Sequence, residues 1–269
     1  MRRVVFNQKG GVGKSTITAN LAAISAQAGY KTLLIDLDPQ GNSTQYITGQ
    51  GGEKLEYSLA DLFDQALNFK IRPKQGREFI SATPYDNLDV LGSHPALEEL
   101  QVKLESRYKI FKLREALDEL GSTYDRVYID TPPALNFFSR SALIAANSVL
   151  IPFDCDEFSR RALYNLLDSL NEIRADHNPA LQVEGIVVNQ FQPRASLPQK
   201  LVAELREEGL PVLASTLSSS VKIRESHEAA KPMIHFMPTH KLAQEFMAMH
   251  DELEKAAKSA SKPTGKKAA

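Results

Sequence analysis

The sequence predicts an α/β fold, a single domain with a mainly parallel, doubly wound sheet flanked by helices. Three observations carry this. Apolar runs of strand length recur at residues 4–6 (VVF), 31–38 (KTLLIDLD), 126–130 (RVYID), 148–153 (SVLIPF) and 183–189 (VEGIVVN). These runs are nearly continuous instead of alternating, as strands covered on both faces require. Segments of helical periodicity separate them, the arrangement of parallel strands joined by crossover helices.

The elements follow in order. After the first strand, Ile17, Leu21, Ala22, Ile24 and Ala28 recur at helical spacing, and Gly29 is a stop. The second strand ends in two acids, Asp36 and Asp38, before Pro39-Gln40-Gly41-Asn42 breaks it. Residues 45–80 are less legible: 58–67 reads as a helix, 49–52 and 72–76 as loops. A short strand is expected at 88–91, one or two helices over 95–120 closed by Gly121, and a strand at 126–130 ending in Asp130. Helices are expected over 159–174 and 197–208, a last strand at 211–216, and a closing helix over 240–258 with Leu242, Phe246, Met249 and Leu253 along one side. The domain thus spans 1–258, and the lysine-rich stretch 259–269 is expected to be disordered.

Composition narrows the function classes. The chain has 269 residues, 42% hydrophobic and 24% charged, enough for a sizeable core. Its formal net charge of −1 gives no global pull toward nucleic acid, so any such binding rests on local patches. One cysteine, Cys155, excludes an intrachain disulfide and a cysteine-built metal cluster within one chain. A reducing, cytoplasmic setting is expected, and no apolar run approaches the roughly 18 residues of a membrane span.

The chemistry concentrates between the first strand and the first helix, in Lys9-Gly10-Gly11-Val12-Gly13-Lys14-Ser15-Thr16. Glycines let the backbone turn sharply and aim successive N–H groups at phosphate oxygens. The helix N-terminus adds roughly half a positive charge at the same point. Lys14 is placed to reach the β- and γ-phosphates and the Ser15 hydroxyl to ligate Mg²⁺. Asp130 closes an apolar strand, the position of an acid that holds Mg²⁺ directly or through water. Parallel sheets bind ligands beyond the carboxyl ends of their strands, so the loop, Asp38, Asp130 and Asn189 are expected along one edge, with Asp36 near enough its strand end to reach the site as the chain turns.

The common GxxxxGK[ST] pattern requires glycine where this chain has Gln8, and an additional lysine stands at Lys9. KGGVGKST resembles the deviant Walker A loop of the ParA/MinD ATPases, and the resemblance extends from Arg3 to about Met249. It implies ATP and Mg²⁺ as cofactors. Lys9 would cross a nucleotide-sandwiched homodimer to the partner's ATP, Asp38 of DLDPQGN would orient the attacking water, Asp36 would lie nearer the magnesium, and Asn189 would contact adenine.

Three branches of that family are disfavoured. Cys155 alone does not suit an iron–sulfur branch, the last residues lack the apolar anchors of a membrane helix, and the final tyrosine is Tyr164, so no C-terminal tyrosine cluster exists. The partition branch remains. GIVVNQFQPRASLPQK and SSSVKIRESHEAAKPM resemble its C-terminal third, where DNA-contacting residues match Arg194 and Lys222, with Lys200, Arg224 and Lys231 nearby; interleaved acids keep the segment from being basic overall. The implied function is a weak, partner-stimulated ATPase that dimerises with ATP, binds DNA non-specifically on the nucleoid and positions a chromosome, plasmid or protein complex. The stimulating partner would be ParB-like or a cargo adaptor, with no membrane involved. Alternatives are a DNA-independent localisation ATPase and a metabolic P-loop amide synthase of the cobyrinic-acid type. Two departures stand out: residues 134–140 (ALNFFSR) are more aromatic than the usual continuation, and the sequence opens on its first strand, so a preceding operator-binding helix-turn-helix is not expected.

Overall fold

Alternating strands and helices build one α/β layer structure in the computed structural model, which describes residues 1–260 apart from Phe69 and Asp156. In chain order the elements are β1 (Arg2–Val5), α1 (Lys14–Gln27), β2 (Thr32–Asp36), α2 (Asn42–Thr48), α3 (Leu59–Leu67), β3 (Ser81–Ala82), β4 (Leu88–Leu91), α4 (Leu97–Ser106), α5 (Lys112–Leu120), β5 (Arg126–Asp130), α6 (Phe137–Ala145) and β6 (Ser148–Asp154). There follow α7 (Glu157–Asp176), β7 (Gln182–Asn189), α8 (Ser196–Glu207), α9 (Lys222–Glu228), α10 (Met233–Phe236) and α11 (Lys241–Ala260). The closing helix includes Ser259 and Ala260; the rest of the lysine-rich stretch lies outside the described residues.

The strands form one sheet in the order β3-β4-β2-β5-β1-β6-β7, parallel except for the short β3, which runs antiparallel to β4. From β1 the chain winds to β2 on one side, and β6 and β7 later fill the other. β1 is therefore the point where the winding direction reverses, and a crevice opens at its carboxyl end. Alternation along the strands divides the core. Val4, Leu33, Ile35 and Ile129 face one layer with Phe63, Leu113, Phe138 and Leu166. Val5, Leu34, Tyr128 and Leu150 face the other, with α1 and Phe246 and Met249 of α11. Residues pointing to opposite faces at a period of two explain why both faces of each strand are apolar.

One expectation is corrected. Residues 211–216 do not form a strand: the segment meets β7 at an isolated bridge, Ile186 to Val212. Pro211 has no N–H for a ladder, and the Ala214 and Ser215 N–H groups instead donate to the Glu252 carboxylate at 2.7 and 2.8 Å. Within the illegible 45–80 stretch, a helix, α2, begins directly after the break at Gly41, whose φ of 65° suits glycine. The 58–67 helix starts at Leu59, with Ser58 as its cap and Asp61 completing a capping box.

At the amino ends of the strands a buried ionic network ties the closing helix to the sheet. Arg3 is fully buried. Its guanidinium donates to Glu184 at 2.8–3.0 Å, to Glu254 at 2.9 Å and to the Tyr128 hydroxyl at 3.1 Å. Arg126 donates to both Glu254 oxygens. Burial alone would raise the Glu254 carboxyl; hydrogen bonds and charge from Arg126 and Arg3 outweigh it and bring its pKa down to about 2.

Removing one partner of such a buried network leaves the others unpaired. Glu254→Gln is expected to lower stability by about 3 kcal/mol at pH 7, read as a shift in the urea midpoint. In the unfolded chain Glu254 takes up a proton near 4.5, in the folded protein near 2, so its stabilisation is complete above pH 4.5 and lost as pH falls toward 2. The gap between wild type and variant should close over that interval.

Candidate functional site

The loop from Asn7 to Gly13 leaves β1 and enters α1 with glycine at each strained position. Gly11 and Gly13 have φ of 75° and 87°. The first intrahelical bond of α1 runs from the Ile17 N–H to the Gly13 carbonyl at 2.8 Å, so the Lys14, Ser15 and Thr16 N–H groups stand at the open end of the helix. Asn189, at the end of β7, donates its amide to the Val12 carbonyl at 3.0 Å. A Cβ on Gly13 would lie 2.5 Å from the same amide nitrogen. The asparagine therefore clasps the back of the loop.

In front of the loop lies a cavity of about 590 Å³ bounded by Gly10, Gly11, Gly13, Lys14, Ser15 and Thr16, and by Asp38, Gln40, Tyr46, Pro133 and His227 of other segments. The Lys14 ammonium donates to the Lys9 carbonyl at 2.9 Å; burial lowers its pKa, opposed by the charges of Asp130 and Asp38. Lys9 itself turns away from Lys14, with its ammonium 3.7 Å from Asp154 and 3.3 Å from Ser159.

Sheet register sets the acids side by side. Asp36 pairs with Asp130, and Val5, the last residue of β1, also pairs with Asp130. Both acids are fully buried. Burial raises Asp130 to about 6 against hydrogen bonds from Ser15 and Ser43, the latter at 2.6 Å. Asp36 is raised well above the usual carboxylate range, first by burial and then by repulsion from Asp130. Its oxygens accept from the Thr44 N–H and hydroxyl, each at 2.8 Å, and from the Asp38 N–H at 3.1 Å. Asp36 thus sits beneath the cavity floor with its oxygens engaged, whereas Asp38 lines the cavity.

This donor set is short of positive charge. Asp36, Asp38 and Asp130 share the neighbourhood of one Lys14 ammonium, and the Ser15 hydroxyl is bonded to Asp130. Among the described residues no three His, Cys, Asp or Glu side chains form a metal cage. Mg²⁺ at phosphate sites does not need one, being held through one or two carboxylates, a hydroxyl and the phosphates themselves. The residues fit that ion.

A family model described as an AAA domain matches residues 3–183. The chromosome partitioning protein ParA of Myxococcus xanthus is 35% identical over 254 residues, covering 93% of this chain and 87% of that protein. The chromosome-partitioning ATPase Soj of Thermus thermophilus is 35% identical over 261 residues, covering 94% and 98%. The chain belongs to the ParA/MinD family of P-loop ATPases. Among solved structures, cobyrinic acid a,c-diamide synthase from Mycobacterium smegmatis, with a bound ATP analogue and magnesium, is 25% identical with a TM-score of 0.83, covering 96% of each chain.

The segment after Asp130 is anchored by aromatic packing. Phe137 and Phe138 do not enter the site; both are buried against Phe63, with ring centroids 5.9 and 5.8 Å away. The basic residues of the C-terminal third lie on exposed or half-buried positions after β7. Arg194, Lys200, Arg224 and Lys231 are exposed. Lys222 faces Glu225 at 2.7 Å and Lys200 faces Glu204 at 3.7 Å, so two of these cations already have acidic neighbours. Motif reading assigned no site role to Gln40, Asn42, Gln45, Tyr46, Pro133 and His227 in the cavity wall. Gln40 and Pro133 stand beside motifs that were recognised; Tyr46 and His227 carried no signal beyond residue type.

Gly13→Ala combines a left-handed backbone with the collision at Asn189. It should lower stability by about 1–2 kcal/mol from the backbone alone, measured by thermal denaturation. Gly29→Ala, also at positive φ but with open space around its Cβ position, should lose only that backbone share.

Proposed function

We propose that this chain is an ATP-dependent dimerising switch that hydrolyses ATP slowly, binds DNA non-specifically and positions a cargo such as a chromosome, a plasmid or a protein complex. The observation that carries the proposal is the convergence of Lys14, Ser15 and Asp38 on one cleft, with Asp130 buried behind Ser15 and a second lysine, Lys9, in the same loop. Identity of 35% to two partition ATPases over nearly the whole chain supports the same reading.

The roles divide as follows. The loop N–H groups and Lys14 bind the phosphates, Thr16 adds a hydroxyl, and Asn189 holds the loop in shape beside the base. Ser15 and Asp130 hold Mg²⁺, with Asp36 behind them. When bound, that ion neutralises charge on the phosphate oxygens. Asp38, whose Oδ1 is steadied by the Gln40 N–H at 3.1 Å, accepts a hydrogen bond from water and orients it. Lys9 is the cation offered across the dimer, leaving Asp154 and Ser159 for the partner's nucleotide. Such a cation in trans is worth roughly 10³–10⁵ in rate.

Arg194, Lys200, Lys222, Arg224 and Lys231 form the DNA-facing set. A few phosphate contacts give only about 10⁻⁴ to 10⁻⁶ M at physiological salt, so doubling the patch in an ATP dimer makes retention depend on nucleotide. A ParB-like protein or cargo adaptor would stimulate hydrolysis, and the protein would ride on the nucleoid in the cytoplasm. No helix among the described residues is long and apolar enough to cross a membrane. The domain proper would end near residue 258, with the remaining lysine-rich residues as an appendage. The structural likeness to the amide synthase favours a second reading, a metabolic ATP-using ligase, though the higher identity to partition ATPases favours the switch.

Two experiments test the proposal. Lys9→Ala should still bind ATP yet remain monomeric in light scattering with ATP and Mg²⁺; an intact ATP dimer would remove the trans role. On mixed-sequence DNA, wild type should be retained with ATP and released with ADP, and Arg194→Glu/Lys222→Glu should lose retention while still dimerising. Wild-type protein that ignores DNA in every nucleotide state would leave a DNA-independent localisation factor or the ligase.

A further inference from the structure

One wall of the cavity comes from neither the phosphate loop nor the acidic strand ends. His227, near the end of α9, contributes to it beside Tyr46 of α2. Its Nε2 lies 3.1 Å from the Thr16 Oγ1. Its ring meets Tyr46 edge-on, with centroids 4.5 Å apart and planes at 80°.

The surroundings are rigid. The Tyr46 hydroxyl is 2.5 Å from Ser226 Oγ and accepts from the Asn20 amide at 3.3 Å. Asn20 also donates to the Thr16 carbonyl at 2.9 Å and accepts from the Met233 N–H at 2.8 Å. Ser226 donates to the Lys231 carbonyl at 2.5 Å. Tyr46, Ser226 and Asn20 are all buried. The residues from Ser226 to Met233 are thus tied to α1 and α2 through Asn20 and Tyr46, and His227 adds a separate contact to Thr16.

A threonine hydroxyl has one hydrogen to give and two lone pairs. If the imidazole carries its proton on Nε2, it donates to Thr16 Oγ1, and the threonine hydrogen stays available to an anion in the cavity. In the other tautomer the imidazole takes that hydrogen, and Thr16 can turn only lone pairs toward the anion, which repels it. A phosphate seated at the open end of α1 therefore selects the donating imidazole.

We propose that His227 is a positioning residue for the nucleotide: it orients the Thr16 hydroxyl as a donor to phosphate and so links α9, which carries Lys222 and Arg224, to the occupancy of the loop. The inference rests on the nucleotide reading of that loop. Its chemistry is general, a neutral imidazole sharing a hydrogen bond with a hydroxyl at a helix N-terminus.

The test is a double-mutant cycle on ATP affinity with Mg²⁺ at pH 8, using wild type, His227→Ala, Thr16→Val and the double variant, with His227→Gln as the conservative replacement. Thr16→Val should weaken binding about tenfold, since a hydrogen bond to a charged group is lost. His227→Ala should weaken it about fivefold and add nothing in the Thr16→Val background, because both act through one hydroxyl. His227→Gln, whose amide can donate to Oγ1, should recover to within about twofold of wild type. Hydrogen exchange gives the second readout: ATP should protect residues 222–231 in wild type, and that protection should fall in His227→Ala at saturating ATP. Equal melting temperatures of the nucleotide-free proteins establish that the variants fold. Affinity of His227→Ala within twofold of wild type, losses that multiply in the double variant, or undiminished protection of α9 would each overturn the inference. Wild-type protein that binds no ATP would instead overturn the reading of the loop itself.

Discussion

Two carboxylates packed side by side at full burial are the constraint around which the site is arranged. Asp36 and Asp130 close adjacent parallel strands in register, and neither can be hydrated there. Their mutual repulsion has to be offset by donors. Those donors come from the first turn of α2, Ser43 to Asp130 and Thr44 to Asp36, and from Ser15 of the phosphate loop. α2 thus has a reason to exist where it does. Without its hydroxyls and N–H groups, Asp36 would keep the Asp38 N–H and Asp130 the Ser15 hydroxyl and the Thr131 N–H, too few donors for two acids at full burial. Ser93 extends the same logic by donating to the Asp38 carbonyl at 2.5 Å, tying the end of β4 to the turn that presents Asp38.

The two ends of the sheet treat charge in opposite ways. At the amino end, Arg3 and Arg126 meet Glu184 and Glu254, and every charge has a partner at hydrogen-bond distance. That end is closed, and its carboxylate Glu254 is held ionised far below the usual range. At the carboxyl end, acids outnumber the cation that faces them, and their carboxyls are pushed up. A balanced network rigidifies; an unbalanced one stores affinity for an incoming cation. The sheet carries its stability at one rim and its chemistry at the other.

Much of this was legible in the sequence, for identifiable reasons. β5 has the bounds that its apolar run predicted, because a strand covered on both faces advertises itself as a run between breakers, and the short β4 lies where it was expected. The phosphate loop was legible because its glycines, lysine and serine are contiguous, and Asp38 and Asp130 because they end such runs. α2, α9 and α10 were not, being seven, seven and four residues long. Too short to show a hydrophobic period or to hold as isolated helices, they depend on tertiary contacts. The segment 211–216 had strand composition, and its Leu213 N–H does reach the Ile186 carbonyl of β7, but the Ala214 and Ser215 N–H groups turn to Glu252 and end the pairing. Tyr46 and His227 reached the cavity only through the fold; 211 residues separate His227 from Thr16, and nothing local to either announces the contact.

The loop's two lysines show how one phosphate site can address two parts of the molecule. Lys14 turns inward, to the loop carbonyl and the buried acids. Lys9 turns outward, to Asp154 at the end of β6 and Ser159 in the first turn of α7. On another side of the same cavity Thr16 touches His227 of α9. Among the described residues, the phosphate loop meets α7 through the Lys9 side chain and α9 through the Thr16 side chain. Contacts of that kind are inexpensive to exchange, because neither α7 nor α9 must unpack for Lys9 or Thr16 to change partner. Under the proposed function, the buried acids beneath fix where charge is bound and the side chains at the rim register that it has been.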